Sequence, residues 1–224
     1  MTTGERCGDE VLLGGSVHDG AVPWLLLGVR FLGWLCSILK GDEMILNDRE
    51  ITRLAEAGMI APFAEGVARP GVISYGVTSF GYDMRVADEW VRYAPYSHVD
   101  PLLIDDAVKH YERQDYTRIG PGGFVLCRSV ETFDIPEDVF GIVVGKSTYA
   151  RCGLIVNCTP MEPGWRGQLT IELHNCTAHH ITVHANQGIA QVMFFRGERP
   201  AVTYADKRGK YQGQSGVTLP RVTE

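Results

Sequence analysis

Six short runs of β-forming residues follow one another in the second half of the chain, and they constrain its fold more than any other feature. They are FVLCRSVETF, VFGIVV, LIVN, QLTIELHN, ITVH and IAQVMFF, all between residues 124 and 195. Turn residues separate them, and the 26 glycines and 11 prolines of the chain supply many such turns. Short strands at nearly regular spacing are typical of a closed or sandwiched antiparallel sheet, so we predict a mostly β protein rather than an α/β one.

The segments before these strands contain one short helix. Asn47 or Asp48 can cap it, its apolar residues recur at helical spacing, and Gly58 lies near its end. Residues 69–86 alternate small, aromatic and polar side chains, which suits an extended segment at the start of the sheet. Residues 100–116 are charged and poorly periodic, and we expect a long excursion there with one helical turn.

The first 43 residues do not match the remainder of the chain. Residues 21–39 form a long apolar run, but Arg30 lies near its middle and the preceding segment is acidic, which argues against a membrane span. Met44 opens a self-consistent folded sequence. We therefore predict an N-terminal extension of residues 1–43 and one folded domain of residues 44–224.

Charge and cysteine content narrow the function and the compartment. The formal net charge of −6 argues against general nucleic-acid binding, which depends on the neutralisation of phosphates. Residues 140–224, however, contain 9 Lys and Arg against 5 Asp and Glu, and such a local excess suits a small anionic ligand. The six cysteines form no CxxC pair, so we expect reduced thiols in a cytoplasm rather than a disulfide framework.

The connection GKSTYARCG at residues 145–153 places a Lys, two hydroxyls and an Arg between two strands. A polar connection is most often a solvated loop. The sequence GKS resembles the end of a phosphate-loop motif, but Phe140 occupies the position of the first glycine of that motif, so we do not predict a phosphate loop. Cations and hydroxyls can still bind phosphate oxygens, Arg through a planar two-point contact and Lys as a point charge. The candidate phosphate ligands are Lys146, Ser147, Thr148 and Arg151.

The strand QLTIELHN has an apolar and a polar face. Alternation directs Leu169, Ile171 and Leu173 to one side and Gln168, Thr170, Glu172 and His174 to the other. A polar row is usually a solvated strand face. Here the turn PGWRG brings the strand back toward the segment that follows GKSTYAR, so the carboxylate of Glu172 could meet hydroxyls and cations. The raised pKa that proton transfer requires would come from partial burial of this carboxylate.

Several residues in the following segment are possible metal ligands by type, namely His174, Cys176, His179, His180 and His184. Period-two geometry scatters them over both faces, and no pair has zinc-finger spacing, so we predict no metal site. The sequence also lacks the PCxxC segment that zinc-dependent nucleobase deaminases combine with HxE.

The stretch GKSTYARCGLIVNCTPMEPGWRGQLTIELHN, together with IAQVMFF and GKYQGQSGVTLP, closely resembles the dCTP deaminases of the deoxyuridine-triphosphatase-like superfamily. The resemblance extends from about Met44 to the C-terminus and leaves residues 1–43 outside. It implies a distorted, mostly antiparallel β-barrel that assembles as a homotrimer with active sites between subunits. It also implies conversion of dCTP and water to dUTP and ammonia, a source of dUTP for thymidylate synthesis, with no catalytic metal and with Mg²⁺ accompanying the triphosphate.

The same resemblance implies roles for individual residues. Glu172 would be the general acid and base, Ser147 would help to hold the attacking water, and Arg151 would orient the catalytic groups. Substrate binding would extend to Lys146, Thr148, Tyr149, Ala150, Thr170, Ile171, Gln191, Tyr204, Lys210 and Gln214. In this family the tail covers the site, which agrees with the Gly-rich, cationic composition of residues 204–224, and we predict a C-terminal flap there.

One segment departs from the pattern of the family. NCTPMEPG is shorter than in some deaminases and carries Glu162 where several relatives have Asp. The triphosphatase relatives use an aspartate here to activate water for attack on phosphorus, and Met161–Glu162 fits that pattern badly. A diphosphatase of dUTP or dCTP, or a bifunctional deaminase-diphosphatase, stays as the alternative. A nucleotide-binding regulator without turnover is the alternative from another class.

Overall fold

The computed structural model describes residues 44–103 and 109–222 of the chain. The predicted extension, residues 1–43 with the apolar run 21–39, lies outside the described residues. Within them, the helices are α1 (Asp48–Glu56) and α2 (Ser147–Ala150). The strands are β1 (Ile60–Ala61), β2 (Gly76–Thr78), β3 (Gly81–Arg85), β4 (Glu89–Tyr93), β5 (Lys109–Arg113), β6 (Tyr116–Ile119), β7 (Phe124–Asp134), β8 (Val139–Gly145), β9 (Leu154–Asn157), β10 (Arg166–Asn175), β11 (Ile181–His184) and β12 (Gly188–Arg196).

The strands pair in three antiparallel sheets. The largest has the order β5-β4-β7-β10-β9, with β1 paired to β7 beside it. A four-stranded sheet has the order β2-β3-β12-β8, and β11 pairs with β6. All six strands predicted between residues 124 and 195 are present as β7 to β12. The predicted mostly β fold class is confirmed.

Helix α1 begins as the sequence predicts. The side chain of Asn47 caps it, because its Oδ1 accepts a hydrogen bond of 3.1 Å from the backbone N–H of Glu50. Ile51 and Leu54 lie on one face and are buried in the core. The helix therefore packs against the domain through its apolar stripe.

The segment of residues 100–116 differs from our expectation. Instead of an irregular excursion, Lys109–Arg113 form β5, which pairs antiparallel with β4. Across the pair, Arg92 Nη1 donates to Glu112 Oε2 at 3.0 Å. For residues 109–113 the prediction of an irregular segment was wrong, because residues 110–113 are largely solvent-exposed. Residues 104–108 of the predicted excursion lie outside the described residues. A strand with little burial carries no apolar alternation, and cross-strand ion pairing supports it instead.

One continuous group of buried apolar side chains joins α1 and the two larger sheets. Its largest fully buried members are Tyr82, Trp90, Phe133 and Phe194. Strand β10 contributes Ile171 and Leu173, both 0% exposed. This core fixes the face that β10 turns inward and therefore the face on which its polar side chains stand. Among the described residues, no helix is long and apolar enough to cross a membrane.

Candidate active site

Strand β10 alternates as its sequence predicts. Leu169, Ile171 and Leu173 are buried, whereas Thr170 and Glu172 are partly exposed. The polar row borders a cavity of about 640 Å³. The cavity is lined by Tyr93, Phe124, Leu126, Phe140, Thr159, Pro160, Glu162, Trp165, Leu169, Thr170, Glu172, Tyr204, Lys210, Tyr211, Gln214, Thr218 and Pro220. A cavity of this size, mainly apolar with a few polar groups, is typical of a small-molecule site.

Glu172 is the half-buried carboxylate of this cavity. It stands opposite Asn157 in the β9–β10 pair, and Asn157 Nδ2 donates to Glu172 Oε2 at 3.3 Å. Burial raises the pKa of Glu172 above its ordinary value, although hydrogen bonds from the backbone and from Asn157 lower it in part. A carboxyl group with a raised pKa can both accept and return a proton near neutral pH.

The C-terminal segment forms one wall of the cavity. Tyr204, Lys210 and Gln214, all predicted substrate ligands, line it. The wall is fixed to the domain because Trp165 Nε1 donates to the backbone carbonyl of Tyr211 at 3.0 Å, and Gln214 Nε2 donates to the backbone carbonyl of Gln168 at 2.6 Å. The predicted flap thus lies against the candidate site as a bonded wall.

The connection after β8 forms the short helix α2. Ser147, Thr148, Ala150 and Arg151 are exposed there. Arg151 Nη1 donates to the backbone carbonyl of Ser147 at 3.1 Å, so these two predicted catalytic residues lie together. The hydroxyl groups of Ser147 and Thr148 and the guanidinium group of Arg151 are therefore accessible to a ligand.

Four other predicted ligands have partners inside the domain. Lys146 forms an ion pair with Asp83, and Gln191 Nε2 donates to Thr78 Oγ1 at 3.1 Å. Tyr149 is buried, and its hydroxyl accepts from His184 N at 3.1 Å. The side chain of Ile171 is fully buried. The side chains of Tyr149 and Ile171 therefore belong to the core. A ligand could contact these two residues only through their backbone atoms.

The two groups of predicted site residues stand apart within one copy of the chain. Glu172 pairs with Asn157 at one end of β9, whereas Asn175 pairs with Leu154 at the other end, next to α2. Three strand residues span about 10 Å. Among the residues that the structure describes, none from 146 to 151 lines the cavity. One copy therefore presents a carboxylate with its cavity and, separately, an exposed hydroxyl and guanidinium group.

Several residues of the cavity have no role among those predicted from the sequence. Asn157, Trp165 and Tyr211 were not identified as site residues, although all three contact groups that form it. Asn157 ends the strand LIVN, and its polarity after three apolar residues was an available signal. The contact with Glu172 depends on the register between β9 and β10, which the sequence did not fix. In residues 44–103 and 109–222, no group of three or more His, Cys, Asp or Glu is placed to hold a metal ion.

The sequence of the chain is similar to known proteins of one family. The family model described as dCTP deaminase-like matches residues 45–197. A dCTP deaminase of Herpetosiphon aurantiacus is 52% identical over 182 residues, which cover 80% of this chain and 99% of that protein. A dCTP deaminase of Gemmatimonas aurantiaca is likewise 52% identical, with the same coverage of both chains.

A similar fold occurs in a solved structure. The crystal structure of 2'-deoxycytidine 5'-triphosphate deaminase from Agrobacterium tumefaciens matches with a TM-score of 0.54 and 18% sequence identity. The match covers 68% of this chain and 48% of that chain, so this chain spans about half the length of the solved one. At this identity the likeness concerns the fold alone.

Proposed function

The chain belongs to the dCTP deaminase-like family, and on that premise we propose that it hydrolyses dCTP to dUTP and ammonia. The observation that carries the proposal is the half-buried carboxyl of Glu172, with its raised pKa, in the wall of a cavity of about 640 Å³. Nucleophilic attack of water on a cytosine ring needs such a group, because a proton must leave the water and another must reach the ring.

The proposed reaction moves protons through Glu172. Its carboxylate accepts a proton from water as the water oxygen forms a bond to ring carbon C4, and the carboxyl then delivers that proton to ring nitrogen N3. A second transfer through Glu172, from the new hydroxyl to the amino group, accompanies cleavage of the C4–N4 bond. Ammonia leaves, and uracil with oxygen at C4 remains. Ser147 would help to hold the water, and Arg151 would orient the reacting groups.

We also propose that the protein supplies no metal to this step. The support is the proton chemistry of Glu172, which can activate water by itself when the substrate is well positioned. Mg²⁺ would arrive with the triphosphate and neutralise part of its charge. The reaction would take place in a cytoplasm, where exposed thiols such as Cys152 and Cys176 stay reduced.

The site is proposed to be completed by a second copy of the chain. Ser147 and Arg151 are exposed, and they lie beyond the far end of β9 from Glu172. Beside them, Ile142 and Val144 of β8 and Ile155 of β9 are 38%, 40% and 51% exposed. Apolar side chains in such a group are often covered by another subunit. We propose a homotrimer in which α2 of one subunit faces the cavity of the next.

A mixing experiment tests this arrangement. Ser147→Ala and Glu172→Gln should each be inactive alone, because every site lacks one group. In oligomers reassembled from equal amounts, some sites combine intact Ser147 from one subunit with intact Glu172 from another. Random mixing makes about a quarter of the sites complete, so ammonia release should return to about a quarter of the wild-type rate. Mixtures as inactive as the single variants would place both groups in one subunit and contradict the shared site.

A second function has one observation in its favour. Glu162 lines the same cavity as Glu172, and its carboxylate lies 3.7 Å from Lys207 Nζ. A carboxylate there could activate water for attack on a phosphate, which would make the protein a diphosphatase or a bifunctional enzyme. Glu162 is nevertheless a poor match to the aspartate that this chemistry uses in the related triphosphatases.

The products formed from dCTP distinguish the two functions. Purified protein with dCTP and magnesium should release ammonia and dUTP in equal amounts and no pyrophosphate. Pyrophosphate alongside ammonia would indicate a bifunctional enzyme, and pyrophosphate alone a diphosphatase. Tight dCTP binding without any product would indicate a nucleotide-binding regulator. Pretreatment with a chelator, followed by added magnesium alone, should restore full activity if no other metal takes part.

A further inference from the structure

Glu89 is a buried carboxylate that has no part in the proposed proton transfers. It opens β4 and is 4% exposed. Arg128 Nε donates to Glu89 Oε2 at 2.7 Å, and the backbone N–H of Val217 donates to Glu89 Oε1 at 2.8 Å. Burial pushes the pKa of Glu89 up, but the bonds from Val217, Arg128 and Tyr111, together with the charge of Arg128, leave the pKa below its ordinary value. Glu89 is therefore a charged acceptor held in place by Arg128.

The amides on either side of Val217 are also bonded to the largest sheet. Gly216 N donates to Gln168 Oε1 at 2.9 Å, and Thr218 N donates to Thr170 Oγ1 at 3.2 Å. Three consecutive backbone donors of the tail thus end on three side chains, and the carboxylate of Glu89 is the central acceptor. A bond to an ionised acceptor is the strongest of the three, since charge-assisted bonds are roughly twice as strong as neutral ones.

The tail approaches Glu89 so closely that a side chain at position 216 would crowd its carboxylate. Gly216 has φ +74°, and a Cβ there would lie 3.2 Å from Glu89 Oε1. Gly213 has nearly the same backbone, φ +70°, but a Cβ there would meet nothing within 4 Å. The two glycines share one conformational demand and differ in the contact with Glu89.

We propose that Glu89, held by Arg128, is a positioning residue that anchors residues 214–218 as the wall of the cavity and so sets the affinity for the nucleotide. Gln214 and Thr218, at the two ends of this segment, both line the cavity. The claim about nucleotide affinity rests on the proposed function, whereas the anchoring of residues 214–218 by Glu89 does not depend on any ligand. Without this anchor, residues 214–218 are in the closed position for only part of the time. The apparent affinity for the nucleotide then falls, because only the closed state binds it.

Hydrogen exchange tests the anchoring. In Glu89→Gln, peptides that cover residues 214–220 should exchange about tenfold faster than in the wild type, because a neutral acceptor holds Val217 less strongly. Peptides from β12 should not change, which would show that the core stays folded. Glu112→Gln is the matched control, because it removes a paired carboxylate from the neighbouring strand β5. Wild-type exchange of the tail in Glu89→Gln would overturn the proposal.

The two glycines give an independent comparison if Glu89→Gln does not fold. Gly216→Ala should accelerate exchange of the tail well beyond Gly213→Ala, because only the former brings a methyl group against Glu89. Equal acceleration in both variants would mean that backbone strain alone is responsible, and it would overturn the contact.

Kinetics with dCTP test the effect on affinity. Glu89→Gln should raise KM about tenfold and change kcat by less than about threefold, because the anchor acts on binding. A decrease in kcat with unchanged KM would overturn the claim about affinity. Unchanged kcat and KM, in a variant whose residues 214–220 exchange faster, would also overturn it. If the protein deaminates no dCTP at all, the exchange results still decide the anchoring, and the failure belongs to the proposed function.

Discussion

Replacing Glu172 by Gln is expected to abolish ammonia release from dCTP while the nucleotide still binds. Gln has almost the same shape and can keep a hydrogen bond with Asn157, but it cannot accept a proton from water. Loss of a general acid and base costs about 10²–10⁴-fold in rate, and here the same group serves every proton transfer. Steady-state assays of ammonia and calorimetric titration with dCTP measure the two effects separately.

The same variant should change how stability depends on pH. Burial raises the pKa of Glu172, so the folded protein retains this proton at pH values where the unfolded chain has lost it. The contribution of the protonated group to stability is complete below its unfolded pKa and is lost as pH rises through the folded pKa. The side chain of Gln at position 172 carries no charge at any pH. Above the folded pKa of Glu172, the variant should therefore melt at a higher temperature than the wild type. Below the unfolded pKa of Glu172, the two melting temperatures should be equal.

Two outcomes would contradict the role of Glu172. Normal turnover in Glu172→Gln would remove this residue from the mechanism. Loss of dCTP binding together with turnover would make it a binding residue. Glu112→Gln again serves as the control, since Glu112 pairs with Arg92 on β4 and β5 and does not line the cavity. It should retain activity, and its melting temperature should not rise above that of the wild type at any pH.

Replacing Glu131 by Ala is expected to cause a large loss of stability. The side chain of Glu131 is completely buried, and Arg85 Nε donates to its Oε1 at 2.7 Å while Arg85 N donates to its Oε2 at 3.0 Å. Tyr82 Oη also donates to Oε1 at 3.3 Å. Burial raises the pKa of Glu131, and the hydrogen bonds and charge of Arg85 lower it only in part. Removing this carboxylate from water is therefore costly.

Removing one partner of a buried ion pair leaves the other charge uncompensated. Glu131→Ala should therefore lower the free energy of unfolding by about 3–5 kcal/mol, as measured by urea denaturation. The double variant Glu131→Ala with Arg85→Met should recover much of that loss, because no isolated charge is left. Glu112→Ala, which breaks a pair nearer the surface, should cost far less. A small loss for Glu131→Ala, or no recovery in the double variant, would contradict this explanation.

Patterns confined to neighbouring residues predicted much of the fold. Alternation along QLTIELHN placed Glu172 on the partly exposed row of β10, and Asn47 capped α1 as expected. Strands β7 to β12 could be identified because each has a buried face and therefore an apolar period of two. Strand β5 has almost no buried face, and its sequence gave no such signal.

The candidate site could be predicted only in part. The sequence singled out Glu172 and the hydroxyl and guanidinium groups of α2, and its motifs indicated the family that the comparisons confirm. It did not reveal that Lys146 is paired with Asp83, or that Tyr149 is a core residue bonded to His184. A residue type indicates which contacts are possible, whereas the packing around it selects one of them.

The sequence by itself determined strands β7 to β12, the polar face of β10 and the family of this protein, because those features depend on residue order over a few positions. Only the tertiary structure decided that Asn157 stands opposite Glu172 and which side chains hold the predicted flap against the cavity. It also decided that Glu89 bonds to Val217, a residue 128 positions away. Such contacts follow from strand register and core packing, which depend on the whole chain at once.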